Sequence, residues 1–280
     1  MGYETISVIV TDQASDAGAL QAALALAELE GAHLDVHCVG IDPARYEPMP
    51  AGTAAIVLEA GAAEARERAD SLEKWVRSAF AIDRQSVATQ AVVIPHLGLD
   101  TLVGRLTRYS DLVVAAKPYG AGRTPVQVNI LEAELFGTGA PVLVVPEKAE
   151  MATKSFDRII IAWNESSESF AAIRAALPFL KRAGRVDIVM IDPPTHSPER
   201  SDPGGAVCLM LARHGIKAEV SILSRTLPRV SEVLARFATE NGANLIVMGA
   251  YGHSRFRESL LGGATRDMLE GTSLPLLMAH

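Results

Sequence analysis

The residues with the most chemical promise lie near the carboxyl terminus. The apolar run Leu245-Ile246-Val247-Met248 leads into Gly249-Ala250-Tyr251-Gly252-His253-Ser254-Arg255-Phe256-Arg257, then Glu258-Ser259-Leu260-Leu261-Gly262-Gly263-Ala264-Thr265-Arg266. Gly249 and Gly252 let the chain turn sharply at a strand's end, with no side chain blocking a close ligand. Successive backbone N–H groups in such a turn can converge on an anion. Gly262 and Gly263 let the following helical segment approach the same point, where the Thr265 hydroxyl can donate to a phosphate oxygen. His253 can reach a phosphate or a metal-bound water, or can simply be part of a solvated helix start; Arg255 and Arg257 add positive charge nearby. A bare Gly-x-x-Gly after a strand is commonly a plain turn. The second glycine pair, nine residues beyond Gly252 and followed by Thr265, makes the pattern far more specific. It is not a Walker A loop, since no Gly-Lys-Ser/Thr follows. It is also not a Gly-x-Gly-x-x-Gly fingerprint, which belongs after a first strand.

No catalytic constellation accompanies the loop. Ser166, Ser167 and Ser169 beside Glu165 and Glu168 read as a helix-capping cluster rather than a nucleophile, and no Gly-x-Ser-x-Gly elbow occurs. His33, His37, His96, His196, His214 and His280 show no ligand spacing. Cys38 and Cys208, isolated in apolar runs, read as small buried hydrophobes. The expectation is a binding protein, not an enzyme, with no resident metal site.

The elements that must position this loop alternate strand and helix. In the first half, strands are expected at Ile6–Val10, Leu34–Val39, Thr89–Ile94, Leu112–Ala116 and Val142–Val145, with helices up to Glu30, over Ala62–Phe80, Leu99–Tyr109 and Val126–Phe136. The second half repeats the programme. Its strands are Ile159–Trp163, Val186–Ile191, Ala218–Leu223, Leu245–Met248 and Leu276–Ala279; its helices run to Lys181 and over Ala206–His214, Arg229–Asn241 and Arg257–Glu270. Such alternation argues for parallel sheets with right-handed crossovers. Three matches fall in the same order in both halves: Ile41-Asp42-Pro43 with Ile191-Asp192-Pro193, Asp111-Leu112-Val113-Val114 with Asn244-Leu245-Ile246-Val247, and Pro141-Val142-Leu143 with Pro275-Leu276-Leu277. They indicate an internal duplication, with domains at 1–147 and 156–280 and a polar seam between them.

Composition agrees. Of 280 residues, 49% are hydrophobic, 21% charged and only 5% aromatic, which suits aliphatic parallel sheets under helices. A net charge of −7 disfavours a general nucleic-acid partner. No apolar run reaches membrane-spanning length, and the amino terminus lacks signal-peptide character, so the expected location is cytoplasmic.

On these residues the chain resembles the universal stress protein family in its tandem form. Its ATP-binding members carry Gly-x2-Gly-x9-Gly-Ser/Thr after the fourth strand, which Gly249, Gly252 and Gly262 match, with Gly263 in place of the hydroxyl residue and Ala264 and Thr265 following. The resemblance implies two Rossmann-like (adenine nucleotide alpha hydrolase-like) α/β domains, each a five-stranded parallel sheet with helices on both faces. The two would pack as an intramolecular pseudo-dimer through their fifth strands, with further homodimerisation left open. It also implies ATP or AMP, with optional Mg²⁺, in the second domain, and an unnamed protein partner in a stress response. Ala162, Trp163 and Asn164 would end the first strand of that domain at the nucleoside, Asn164 replacing the family's Asp, and Met190 would offer its backbone to adenine. The first half keeps Asp12 at the acidic position, but its loop, Ala115-Ala116-Lys117-Pro118-Tyr119-Gly120-Ala121-Gly122-Arg123, lacks the glycine pattern. The rival functions are a slow ATPase using a water near His253 and a nucleotide-free adaptor.

Overall fold

A computed structural model describes residues 2–43, 51–80, 86–147, 156–193, 202–252 and 263–280. The chain divides into two compact units, one of Tyr3–Ala116 with Ala121–Ala140 and another of Pro141–His280 with Lys117–Gly120.

The first unit contains β1 (Thr5–Val10), α1 (Gln13–Glu30), β2 (His33–Asp42), α2 (Ala51–Ala79), β3 (Val87–Pro95), α3 (Leu99–Thr107), β4 (Leu112–Ala116) and α4 (Pro125–Gly137). Its strands run parallel in the order β3-β2-β1-β4. The continuous aliphatic runs foreseen for β1, β2 and β4 are buried on both faces, as a helix-covered parallel sheet requires. Strand β2 extends to Asp42, further than its apolar run suggests, because its ladder with β3 continues to the Asp42–Pro95 pair. That extension brings Gly40 against α2, where a Cβ would collide with the Ala65 carbonyl oxygen.

The second unit contains β5 (Val142–Val145), β6 (Arg158–Ala162), α5 (Ser167–Ala175), α6 (Leu177–Leu180), β7 (Arg185–Ile191), α7 (Gly205–Arg213), β8 (Ala218–Leu223), α8 (Val230–Glu240), β9 (Leu245–Gly249), α9 (Ala264–Gly271) and β10 (Leu276–Ala279). Strands β10-β9-β6-β7-β8 are parallel, and β5 joins β10 antiparallel through Leu276–Val144, Leu277–Leu143 and Met278–Val142. The two fifth strands therefore pair within one chain, and Pro141–Val145, which the sequence groups with the first half, packs in the second unit. The single helix foreseen up to Lys181 is two short ones, since Pro178 has no N–H to continue the ladder.

The two units share a hydrogen-bond pattern. In the first unit the Asp111 N–H donates to the Thr5 carbonyl while Asp111 Oδ2 accepts from the Glu4 and Thr5 N–H groups, at 2.8 and 3.0 Å. In the second, the Asn244 N–H donates to the Arg158 carbonyl while Asn244 Oδ1 accepts from the Arg158 N–H at 3.1 Å. Each residue locks the fourth strand of its repeat beside the first. Among the described residues, no helix is long and apolar enough to cross a membrane.

Beneath α1 and α4 the first unit buries charge. The Arg123 guanidinium donates to Asp16 Oδ1 at 3.0 Å and to the Ser15 carbonyl at 2.6 Å, with both charged side chains almost fully enclosed. Asp16 Oδ2 in turn accepts from the Thr11 N–H and hydroxyl and from the Asp12 N–H. Glu134 lies nearby, 1% exposed, with Oε2 unpartnered. Burial first, and then the Asp16 charge, push its carboxyl well above the usual range of about 4.5. A raised folded-state pKa means that the folded protein holds a proton the unfolded chain releases, so stability is lost as pH climbs from the unfolded value toward the folded one. Glu134→Gln should remove that loss. Chemical denaturation across pH 4 to 8 should show the variant gaining on the parent as pH rises, by up to about 1.4 kcal/mol per pH unit within the titration window. A pH-independent difference would show that Glu134 does not carry the effect.

Candidate functional site

Strands β6 and β9 are neighbours, paired from Ile159–Leu245 to Ala162–Met248. Strand order turns back on itself here, which is where open α/β sheets hold ligands beyond their carboxyl ends. A cavity of about 460 Å³ opens at this point. Its walls include Ala162, Trp163, Asn164, Gly249, Gly252, Gly263, Ala264 and Thr265, so eight residues singled out from the sequence come together. His253 and Gly262, with Arg255 and Arg257, lie outside the described residues.

Gly249 serves this site for a reason different from the one its sequence context suggests. Its φ is not positive, and neither is that of Gly252; the left-handed residue of the turn is Tyr251, at φ 55°. What Gly249 permits is contact. A Cβ there would stand 2.5 Å from the Ser169 nitrogen and 2.7 Å from the Glu168 carbonyl carbon, so the first turn of α5 rests directly on the strand end. A Cβ on Gly252 would meet Glu168 Oε2 at 3.1 Å and Ser166 Oγ at 3.7 Å, which places the Glu168 carboxylate beside the loop. The serine cluster caps α5 as expected: Ser166 Oγ accepts from the Ser169 N–H at 3.1 Å.

Each polar group at the cavity has a defined orientation. Asn164 Oδ1 accepts from the Ser166 N–H at 3.2 Å, and Glu165 between them adopts φ 63°. The Asn164 carbonyl oxygen is thereby engaged, and its NH₂ is the group left to offer a ligand. The Trp163 backbone N–H donates to the Val189 carbonyl at 2.9 Å, while its indole, 7% exposed, has a buried Nε1–H with no hydrogen-bond partner. Thr265 Oγ1 accepts from the Tyr251 N–H at 3.2 Å, so its hydroxyl proton remains available to donate. Gly263 is the N-cap of α9 and supplies no side-chain hydrogen bond. The missing hydroxyl thus leaves the first N–H groups of α9 without a side-chain acceptor at the cavity rim.

Met190 does not line the cavity. Val189 and Ile191 do, while the Met190 side chain, 1% exposed, packs near Gly204. Alternation along β7 sends neighbouring side chains to opposite faces. Sequence reasoning missed the apolar wall: Val230 and Leu234, Met248, and Met268. The i, i+4 spacing of Val230 and Leu234 and the i, i+3 spacing of Thr265 and Met268 were the available signals.

The first unit holds a smaller cavity, of about 290 Å³, whose lining includes Thr11, Asp12, Arg68, His96, Thr124 and Gln127. Asp12 is the N-cap of α1, and the Ser15 N–H on its carboxylate, foremost, holds its pKa below the usual value. Lys117 leaves β4 to donate from Nζ to the Glu270 and Thr272 carbonyls at 2.7 and 3.0 Å, capping the carboxyl end of α9. Burial pushes the Cys38 thiol up to about 12, which suits a packing role. Among the described residues, no group of three His, Cys, Asp or Glu side chains is placed to hold a metal ion.

Residues 155–280 match the family model of the universal stress protein family. A universal stress protein from Synechocystis sp. is 29% identical over 142 residues, which are 49% of this chain and 46% of that protein. The chain thus spans about half the length of that curated relative. A crystal structure of a universal stress protein from Archaeoglobus fulgidus DSM 4304 superposes with a TM-score of 0.69 at 13% identity, covering 98% of this chain and 95% of that one. That likeness carries the fold.

Thr265→Val tests the site's internal support. The change keeps the shape but takes the acceptor Thr265 Oγ1 from the half-buried Tyr251 N–H, and should cost about 1 kcal/mol in urea unfolding. A loss no greater than that of an exposed control such as Thr239→Val would show that the Thr265 bond does not hold the turn.

Proposed function

Because residues 155–280 match the universal stress protein family, we propose that the chain is a tandem member of it and binds an adenine nucleotide, ATP or AMP, in the second of two domains, 1–147 and 156–280. In this reading it acts in a stress response as a nucleotide-responsive binding protein rather than as an enzyme. The observation that carries the reading is the cavity itself. Part of its lining is apolar, from Trp163, Val189, Ile191, Val230, Leu234 and Met268. The rest includes Gly249, Gly252, Gly263, Ala264 and Thr265, with the start of α9 among them. A flat base suits the first and a phosphate the second, since helix N-termini and converging N–H groups favour anions. The Asn164 NH₂ would donate to an acceptor of the base or ribose, a role that an ionised Asp could not fill. Gly262 keeps the place in the phosphate loop that the resemblance gives it, and His253 would reach a phosphate or a metal-bound water. Mg²⁺ would enter with the phosphates, with oxygen ligands as that ion requires.

Titration calorimetry should give one nucleotide per chain, since the Lys117 loop lacks the glycine spacing. Ala264 is exposed and borders the cavity, so Ala264→Trp would fill the opening while sparing the core. It should weaken ATP and AMP binding by about tenfold or more, or at least 1.4 kcal/mol, with an unchanged circular dichroism spectrum. A folded variant that binds as tightly as the parent would place the nucleotide elsewhere.

A further inference from the structure

The smaller cavity, in the first unit, has a chemistry of its own. It encloses about 290 Å³, and its lining holds a carboxylate, Asp12, and a guanidinium, Arg68, beside the aliphatic side chains of Val39, Ile41 and Val126. Asp12 is the N-cap of α1 and accepts from the Ser15 N–H at 2.9 Å. That bond, foremost, keeps the group ionised. A carboxylate offers about four acceptor sites, so capacity remains for a ligand. Arg68, from α2, donates from Nη2 to the Thr11 carbonyl at 3.3 Å, and a guanidinium has further N–H groups to give. Its charge is the least of the influences on Asp12. The two charges therefore stand apart in one cavity instead of closing on each other.

Gln127 adds a directed donor to the same lining. Its Oε1 accepts from the Thr124 N–H and hydroxyl at 2.8 and 2.7 Å, so its NH₂ is the part left to a ligand. Size and charge then narrow the ligand. Sites for small molecules run upward from about 300 Å³, so this cavity takes a compact one. A ligand with a single charge would displace water from both Asp12 and Arg68 and answer only one of them, which is costly. A polyol would answer neither charge and would press hydroxyls against the aliphatic wall. A compact molecule with an ammonium, a carboxylate and a short aliphatic chain meets all three demands.

We propose that the first-unit cavity binds a small zwitterion, a free α-amino acid with an aliphatic side chain. Asp12 takes the ammonium, Arg68 and the Gln127 amide take the carboxylate, and Val39, Ile41 and Val126 receive the side chain. The two units then hold ligands of different classes, and this site stands whether or not the other takes a nucleotide.

The test is calorimetric titration of the full chain with L-leucine and L-valine, and with two leucine analogues that each lack one charge. These are 4-methylpentanoate, without the ammonium, and 3-methylbutylamine, without the carboxylate. At least one of the amino acids should bind, one per chain, and each analogue should bind about tenfold more weakly or worse. Asp12→Asn keeps an N-cap on α1 and should remove the preference for the amino acid over 4-methylpentanoate. Arg68→Gln should remove the preference over 3-methylbutylamine, with circular dichroism checking the fold of both variants. Saturating ATP should leave the amino-acid titration unchanged. Failure of both amino acids to bind below about 10 mM overturns the proposal. So does an analogue that binds as tightly as its amino acid, a preference that survives the matching substitution, or displacement of the amino acid by ATP mole for mole. A chain that binds the amino acid but no ATP would sink the nucleotide reading and leave this one standing.

Discussion

The site hangs on a single close approach, that of the first turn of α5 to the backbone of Gly249. With no Cβ in the way, the helix start sits directly on the end of β9, and the Ser169 nitrogen comes nearer than any side chain would allow. That contact fixes the loop after β9 against Ser166 and Glu168. It leaves room for Asn164, Glu165 and Ser166 to turn above the sheet, with Asn164 Oδ1 drawn back onto the Ser166 N–H. The polar part of the cavity is thus framed by backbone contact, and the side chains only finish it. Alanine at position 249 would push α5 away from β9 and open the frame, because overpacking in a well-fitted contact forces backbone to move.

This explains how much of the molecule could be read from its sequence. The strands announced themselves because a helix-covered parallel sheet needs uninterrupted aliphatic runs, and Ile159-Ile160-Ile161 or Leu112-Val113-Val114 can hardly be anything else. The glycine spacing drew attention to Gly249 and Gly252, which both line the cavity, but not to the contact that Gly249 makes with the first turn of α5; the left-handed residue of the turn is Tyr251. A one-dimensional pattern does not distinguish the two uses of glycine, since the helix that touches Gly249 lies some eighty positions upstream. Val230 and Leu234 escaped notice for a related reason. Their spacing is that of any helix packing on a sheet, and only the gap beneath them makes them cavity wall. The Met190 side chain faces away from the cavity that its strand neighbours Val189 and Ile191 line, and only its backbone could meet a ligand there.

The charged network of the first unit was equally hidden, and its energetics account for its form. Burying Asp16 and Arg123 costs several kcal/mol per ion unless the remaining donors and acceptors are filled. Here they are filled, by Thr11, Asp12 and Ser15. The first turn of α1, the end of β1 and the loop after β4 are thereby tied into one satisfied cluster that asks nothing of an external ligand. Glu134, left with an unpartnered oxygen beside it, meets the same pressure by keeping its proton.

The second unit resolves the same meeting of loop and helix without such closure. Gly263 caps α9 with no side chain, the Thr265 hydroxyl keeps its proton free, and the Asn164 amide points its remaining capacity at the cavity. Buried or half-buried donors left in this state cost stability in the empty protein, because each forgoes part of its solvation. The first unit fills the donors and acceptors around Asp16 and Arg123, whereas the second leaves several groups at its cavity open. The groups left open are chiefly donors, and they surround a cavity whose lining is in part apolar. That combination suits a ligand with a hydrophobic body and an acceptor-rich end.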